Sequence, residues 1–177
     1  MNNIHPDLIA IQQLIYQPCN MHFSQVEPEL ESQDYGACTF ELEGMNVKFR
    51  VAKITPKKVG QFVTFWKRKN DGPIQPFDVE DDFQFLVVSV RFQDRFGQFV
   101  FPKNILLQYG ILARSGKGGK RALRVYPSWD KTTNHQAQKT QKWQIAYFQE
   151  IYADASIDTK DTQTRNSLLY CRDGSTA

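Results

Sequence analysis

The chain has 177 residues, 41% of them hydrophobic, which is enough for one domain that buries most of the surface its unfolded form exposes. Its wholly apolar runs, such as Phe85-Leu86-Val87-Val88, are far shorter than the roughly twenty residues that cross a bilayer, and Cys19, Cys38 and Cys171 lack the CxxC pairing of a disulfide framework or structural zinc site. The net charge of +3 is sorted along the chain: residues 1–47 sum to −7, 48–72 to +7, 73–94 to −4, 95–142 to +9 and 143–177 to −2. Folding that brings the two basic blocks to one face makes a continuous positive field.

The elements alternate between helix and strand. In "HPDLIAIQQLIYQP", Leu8, Ile11, Leu14 and Ile15 recur at helical spacing, Asp7 sits in the first turn and Pro18 closes the segment. The absence of Lys and Arg before residue 48 removes the cationic start of a secretory signal, so the cytoplasm is the expected location. "ACTFELEGMNVKFRVAKI" predicts a hairpin around residues 43–46, with Phe40, Leu42, Val47, Phe49 and Val51 on an apolar face and Glu41, Lys48 and Arg50 on a charged one. "GQFVTFWKR" predicts a third strand, and "FQFLVVSVRF", apolar on both faces, a central strand of a covered sheet with "FGQFVF" as its partner. Pro102 opens a helix over "KNILLQYG" that Gly110 ends, and "RALRVYP" predicts a further strand. Residues 134–151 predict the longest helix, packed through Ala137, Trp143, Ala146, Tyr147 and Ile151. The domain therefore spans residues 1–152, and 153–177 form a polar tail whose Leu168-Leu169-Tyr170 patch docks.

The stretch "ARSGKGGKRALRVYPS" approaches the phosphate loop GxxxxGK[ST] and fails it. Five residues rather than four separate Gly110 from Gly116, Gly118 takes the hydroxyl position, and a strand follows where the mechanism needs a helix N-terminus; a flexible glycine loop that lets Lys117, Lys120 and Arg121 reach a polymer backbone is expected in its place. His5, His22 and His135 have no metal-ligand spacing, and no GxSxG occurs. Asp78, Glu80, Asp81 and Asp82 form an acidic run whose oxygens suit a divalent cation or, more simply, a solvated loop.

Four segments in order, "KITPKKVGQFVTFWKR" with "GPIQPFD", "FGQFVFPKNIL" with "YGI", "GKRALRVYPSWD" and "NHQAQKTQKWQIAYF", resemble the signature segments of the MepB-like family of small bacterial proteins over roughly residues 30–151. The resemblance implies an α/β (α+β) fold, a mixed central β-sheet flanked by helices similar to the PD-(D/E)XK nucleases, and a nucleic-acid-binding role. Nuclease chemistry on that fold needs carboxylates and a lysine on adjoining strands to hold magnesium and activate water. Asp158-Thr159-Lys160, in the polar tail, is the one D/E-x-K tripeptide, and Val51-Ala52-Lys53, Phe65-Trp66-Lys67 and Ser89-Val90-Arg91 keep the cation without the acid. A catalytic site, a metal and a cofactor are therefore not expected.

Lys53, Lys57, Lys58, Lys67, Arg68, Lys117, Lys120, Arg121, Arg124, Lys139 and Lys142 are the candidate phosphate contacts, with Tyr126 and Trp129 as candidate stacking residues. Read together, these features predict a non-cleaving protein that binds RNA or single-stranded DNA in preference to duplex, with no membrane partner. The alternative is a divalent-metal-dependent nuclease whose variant site uses Asp78 and Asp82 with Glu31 or Glu41. A third reading makes it a protein-interaction module whose basic blocks are ordinary surface.

Overall fold

A computed structural model describes residues 4–153 and Tyr170. Helix α1 (Pro6–Ile11) widens into a π turn over Gln12–Tyr16. His5 caps it, its Nδ1 accepting from the Asp7 amide at 3.1 Å, and Pro6 leaves no amide to satisfy. Strands β1 (Phe23–Pro28), β2 (Cys38–Leu42) and β3 (Met45–Val51) form a meander, β4 (Lys53–Thr55) and β5 (Lys58–Thr64) a hairpin, and β6 (Trp66–Arg68) pairs with β7 (Ile74–Pro76). The long hairpin of β8 (Phe85–Phe92) and β9 (Arg95–Pro102) leads into α2 (Lys103–Gln108). The minimal hairpin β10 (Ala113–Arg114) and β11 (Lys117–Gly118), then β12 (Ala122–Val125), α3 (His135–Gln144), a 3-10 turn (Ile145–Tyr147) and β13 (Phe148–Ile151) complete the order.

The main sheet runs β1-β2-β3-β8-β9-β13, with β3 parallel to β8 and the other neighbours antiparallel. This is the mixed sheet with flanking helices that the family resemblance implies. Strand β8 shows why it must be covered twice: Phe85 and Val87 enter one core, beneath α1, while Leu86, Val88 and Val90 enter a second, with Phe65, Phe83, Phe99 and Phe101. Leu8, Ile11 and Ile15 are buried in the first core as their spacing predicts, and Tyr170 joins them, its hydroxyl 2.7 Å from that of Tyr16. Leu168 and Leu169 lie outside the described residues. Asp7 does more than favour a helix start. Its buried carboxylate accepts from Ser89 Oγ at 2.8 Å and Arg91 Nε at 2.6 Å, riveting α1 to β8.

Three expectations change. The helix predicted over 134–151 ends at Gln144, and Phe148–Ile151 is instead an edge strand on β9, with Phe148 opposite Phe99 and Ile151 opposite Phe96. Arg95 holds Glu150 by two bonds of 2.8 and 2.9 Å, and Gln98 donates to Gln149 at 2.9 Å, so side-chain pairing across the ladder overrides the helical periodicity. "GQFVTFWKR" breaks at Phe65 into β5 and β6, which belong to different small sheets, β12-β5-β4 and β6-β7. The glycine loop is a tight structure rather than a flexible one. Ser115 and Gly116 turn with φ of 51° and 73°, Asp78 accepts from the Gly116 amide at 2.8 Å, and a Cβ on Gly119 would lie 2.6 Å from Pro76.

Candidate nucleic-acid interface

Strand β12 lies against β5 with Arg124 opposite Phe62, and α3 crosses behind it. One buried amide ties α3 to the edge of that strand. Gln144 Nε2 donates to the Arg124 carbonyl at 3.0 Å and its Oε1 accepts from the Tyr126 amide at 2.9 Å, so the side chain pairs with the free edge of β12 as a neighbouring strand would. Gln141 Nε2 fixes the approach to the helix by donating to the carbonyls of Pro127 and Asp130, each at 2.9 Å. Gln144→Leu would leave two backbone groups without partners, at about 1–3 kcal/mol each. A loss of roughly 2–6 kcal/mol in urea unfolding is the expected result, and an unchanged midpoint would show that α3 is held by other means.

Between α3, β12, the β4–β5 turn and the end of α2 opens a groove of about 1420 Å³. Lys57, Lys58, Lys120, Arg124, Lys139 and Lys142 line it, with Tyr109, Tyr126, His135 and Trp143, and among the described residues no Asp or Glu lines it. The groove thus joins cations from both basic blocks, separated by some sixty residues at the least, Lys58 to Lys120. Five of the six are exposed; Arg124 is half-buried. Its Nη1 donates to Thr55 Oγ1 and to the Gly60 carbonyl, each at 3.0 Å, so it braces the β4–β5 hairpin while its charge adds to the groove. The first turn of α3 also faces the groove, with Asn134 accepting from the Ala137 amide at 2.8 Å and no acid to offset the positive end of the helix. Burial pushes the Tyr126 hydroxyl above its ordinary value.

The remaining candidates lie elsewhere. Lys53 sits over the Tyr35 ring at 4.6 Å, Lys67 forms two 2.7 Å bonds to Asp81, and Arg68 pairs with Glu31 at 3.1 Å. Lys117 and Arg121 are exposed on and beside the β10–β11 hairpin, outside the groove lining. Trp129 packs edge-on to Phe148 with Arg95 stacked over it at 4.7 Å, and is not in the groove. Sequence reasoning passed over Tyr109, which reads as a helix end, and Glu29.

Glu29 organises the charged face of the β2–β3 hairpin, and that face is covered rather than solvated. Arg50 has a fully buried side chain, Lys48 and Glu29 are each 16% exposed, and the second core roofs them. Arg50 binds Glu29 by two bonds of 2.7 and 3.2 Å, Lys48 reaches the same carboxylate at 3.0 Å, and the two cations rest over Phe65 and Phe77. Burial would raise the Glu29 carboxyl, but Arg50 and Lys48 outweigh it and hold it below its ordinary value of 4.5.

Each carboxylate considered for a variant metal site has a partner of its own. Asp78 already accepts from the amides of Gly116 at 2.8 Å and Glu80 at 3.1 Å, and the Gly116 bond foremost holds it below its ordinary range. Asp82 accepts from Asn46 Nδ2 at 2.9 Å, Glu41 from Gln25 at 3.1 Å, and Glu31 is paired with Arg68. Among the described residues no three His, Cys, Asp or Glu side chains are placed to share an ion. Asp158-Thr159-Lys160 lies outside the described residues.

The MepB-like family model matches residues 29–150, more than half of the chain. The chain belongs to the MepB-like family. The segment matched to the MepB-like family runs from Glu29 to Glu150 and contains the whole groove lining, from Lys57 to Gln144. A crystal structure of MepB is similar at 33% identity and a TM-score of 0.71, covering 82% of this chain and 97% of that one. A bacterial homing endonuclease, I-Ssp6803I, is similar at 15% identity and a TM-score of 0.43, covering 77% of this chain and 84% of that one. That likeness is too distant to carry an argument. No curated protein matches the chain. Among the described residues no helix is long and apolar enough to cross a membrane.

Proposed function

We propose that this MepB-like protein binds RNA or single-stranded DNA along the groove between β12 and α3, and does not cleave it. The composition of the groove carries this reading: six cations and four aromatic or imidazole rings without a carboxylate suit a polyanion that also offers flat bases. Single strands are favoured because paired bases present no free face to those rings. The absence of cleavage is supported by the hairpin face, where Lys48 and Arg50 are neutralised by Glu29, and by an acidic loop whose carboxylates are committed to amides and cations. A PD-(D/E)XK-like nuclease needs those groups free to hold a metal.

Labelled single-stranded RNA, single-stranded DNA and duplex, each incubated with magnesium, manganese or chelator, test both parts together. Salt-sensitive retention of single strands with no products in any lane is expected. Divalent-dependent products that disappear in Asp78→Asn would overturn the non-cleaving reading, and no retention even at low ionic strength would overturn the binding one.

A further inference from the structure

Helix α2 ends in a Schellman turn. Gly110 has φ +68°, its amide donates to the Leu107 carbonyl at 3.0 Å, and the Ile111 amide reaches back to the Leu106 carbonyl at 2.8 Å, with Leu106 and Ile111 both buried. This fixes the backbone of Tyr109, the last residue before the turn. The ring of Tyr109 lies parallel to that of Trp143 at 4.0 Å and 7°, and Trp143 is backed in turn by Phe101 at 5.5 Å. The column therefore starts in the second core and ends outward on Tyr109, which is 38% exposed and lines the basic groove. A ring on a fixed backbone, with one face laid on an indole, loses little further freedom when a third ring settles on it.

We infer that Tyr109 is a stacking platform for an unpaired base, so that the groove recognises bases as well as phosphates. The inference rests on the reading of the groove as a nucleic-acid site and specifies its substrate: a strand with at least one base splayed from its neighbours. Lys120 and Lys142, which line the same groove, are the cations that would take the flanking phosphates. Stacking on an aromatic side chain is sequence-tolerant, since every base has a flat face.

The test compares a labelled pyrimidine single strand with the same strand made abasic, across one matched series of salt concentrations. The unmodified protein should prefer the base-bearing strand by about 5- to 100-fold. Tyr109→Leu should sharply reduce that preference while leaving affinity for the abasic strand and the salt dependence unchanged, and Tyr109→Phe should keep it. Equal binding of the two strands by the unmodified protein, or a preference undiminished in Tyr109→Leu, would overturn the platform and leave the groove reading standing. Failure to bind either strand at low salt would remove the groove reading and the platform with it. The comparison of strands on the unmodified protein decides the matter even where a Tyr109 variant does not fold.

Discussion

Glu29→Ala should destabilise the fold by about 3–5 kcal/mol in urea unfolding at neutral pH, the cost of leaving a buried charge without its partner. The reason is the placement of Arg50, whose side chain is fully buried and bonded to Glu29 through both terminal nitrogens, with Lys48 on the same carboxylate. Remove the carboxylate and two cations remain over the Phe65 and Phe77 rings, that of Arg50 fully buried. A small domain is stable by only about 5–15 kcal/mol, so the single change takes a large share of the total. Replacing Glu29 and Arg50 together by Met should recover much of the loss, because the pair as a whole offsets its own desolvation poorly. The pH dependence has a definite sign. The folded carboxyl sits below its ordinary value of 4.5, so its contribution is complete above that pH and is lost as pH falls through the folded value. Wild type and Glu29→Gln should therefore converge in stability as the solution is acidified through the lowered titration of the folded carboxyl. A loss under about 1 kcal/mol for Glu29→Ala would mean that the charged layer is not structural, and its cations would then have to be reconsidered as ligand contacts.

That layer also shows where the sequence was silent. The alternation of Lys48 and Arg50 against Val47 and Phe49 is plain in the chain, and by itself it reads as a solvated face. What covers it is the packing of Phe65, Phe77 and Phe83 from segments well beyond the hairpin, a tertiary fact that no local pattern encodes. Glu29 stayed hidden because β1 has only Phe23 and Val26 as strand formers, carries a positive φ of 52° at Gln25 and shifts register between Ser24 and Glu27. By contrast, α1, the β2–β3 hairpin, the twice-covered β8 and the Gly110 stop of α2 were legible, since each depends on neighbours in sequence. Strand β13 was not: Phe148 and Ile151 suit a helix stripe as well as a strand, and the free edge of β9 decides between them. For the groove, the cation types were visible and their grouping was not. The grouping depends on Gln144 pairing with β12 and on β12 pairing with β5, which bring α3 to the β4–β5 turn and leave Lys53, Lys67 and Arg68 with partners of their own.

Neutralising Lys57, Lys58, Lys139 and Lys142 together, each to Gln, is expected to cut affinity for a single strand by three to four powers of ten at about 50 mM salt and by roughly a hundredfold at about 200 mM. Each neutralised phosphate on a single strand contributes about 0.7 to the logarithmic salt slope, so removing four such cations should flatten that slope by nearly three units, and the deficit must shrink as salt rises. All four side chains are exposed, so the fold should be unaffected. Arg124 is left intact because its bonds to Thr55 and Gly60 make it a brace of the hairpin as well as a charge. Lys67→Gln with Arg68→Gln is the matched control: each cation is already paired, with Asp81 and Glu31, and the slope should hardly move. If the control flattened the slope as much per charge as the groove variant does, net charge rather than the groove would govern binding. Association would then be spread over the whole basic surface, and Tyr109 would have no fixed strand to stack against.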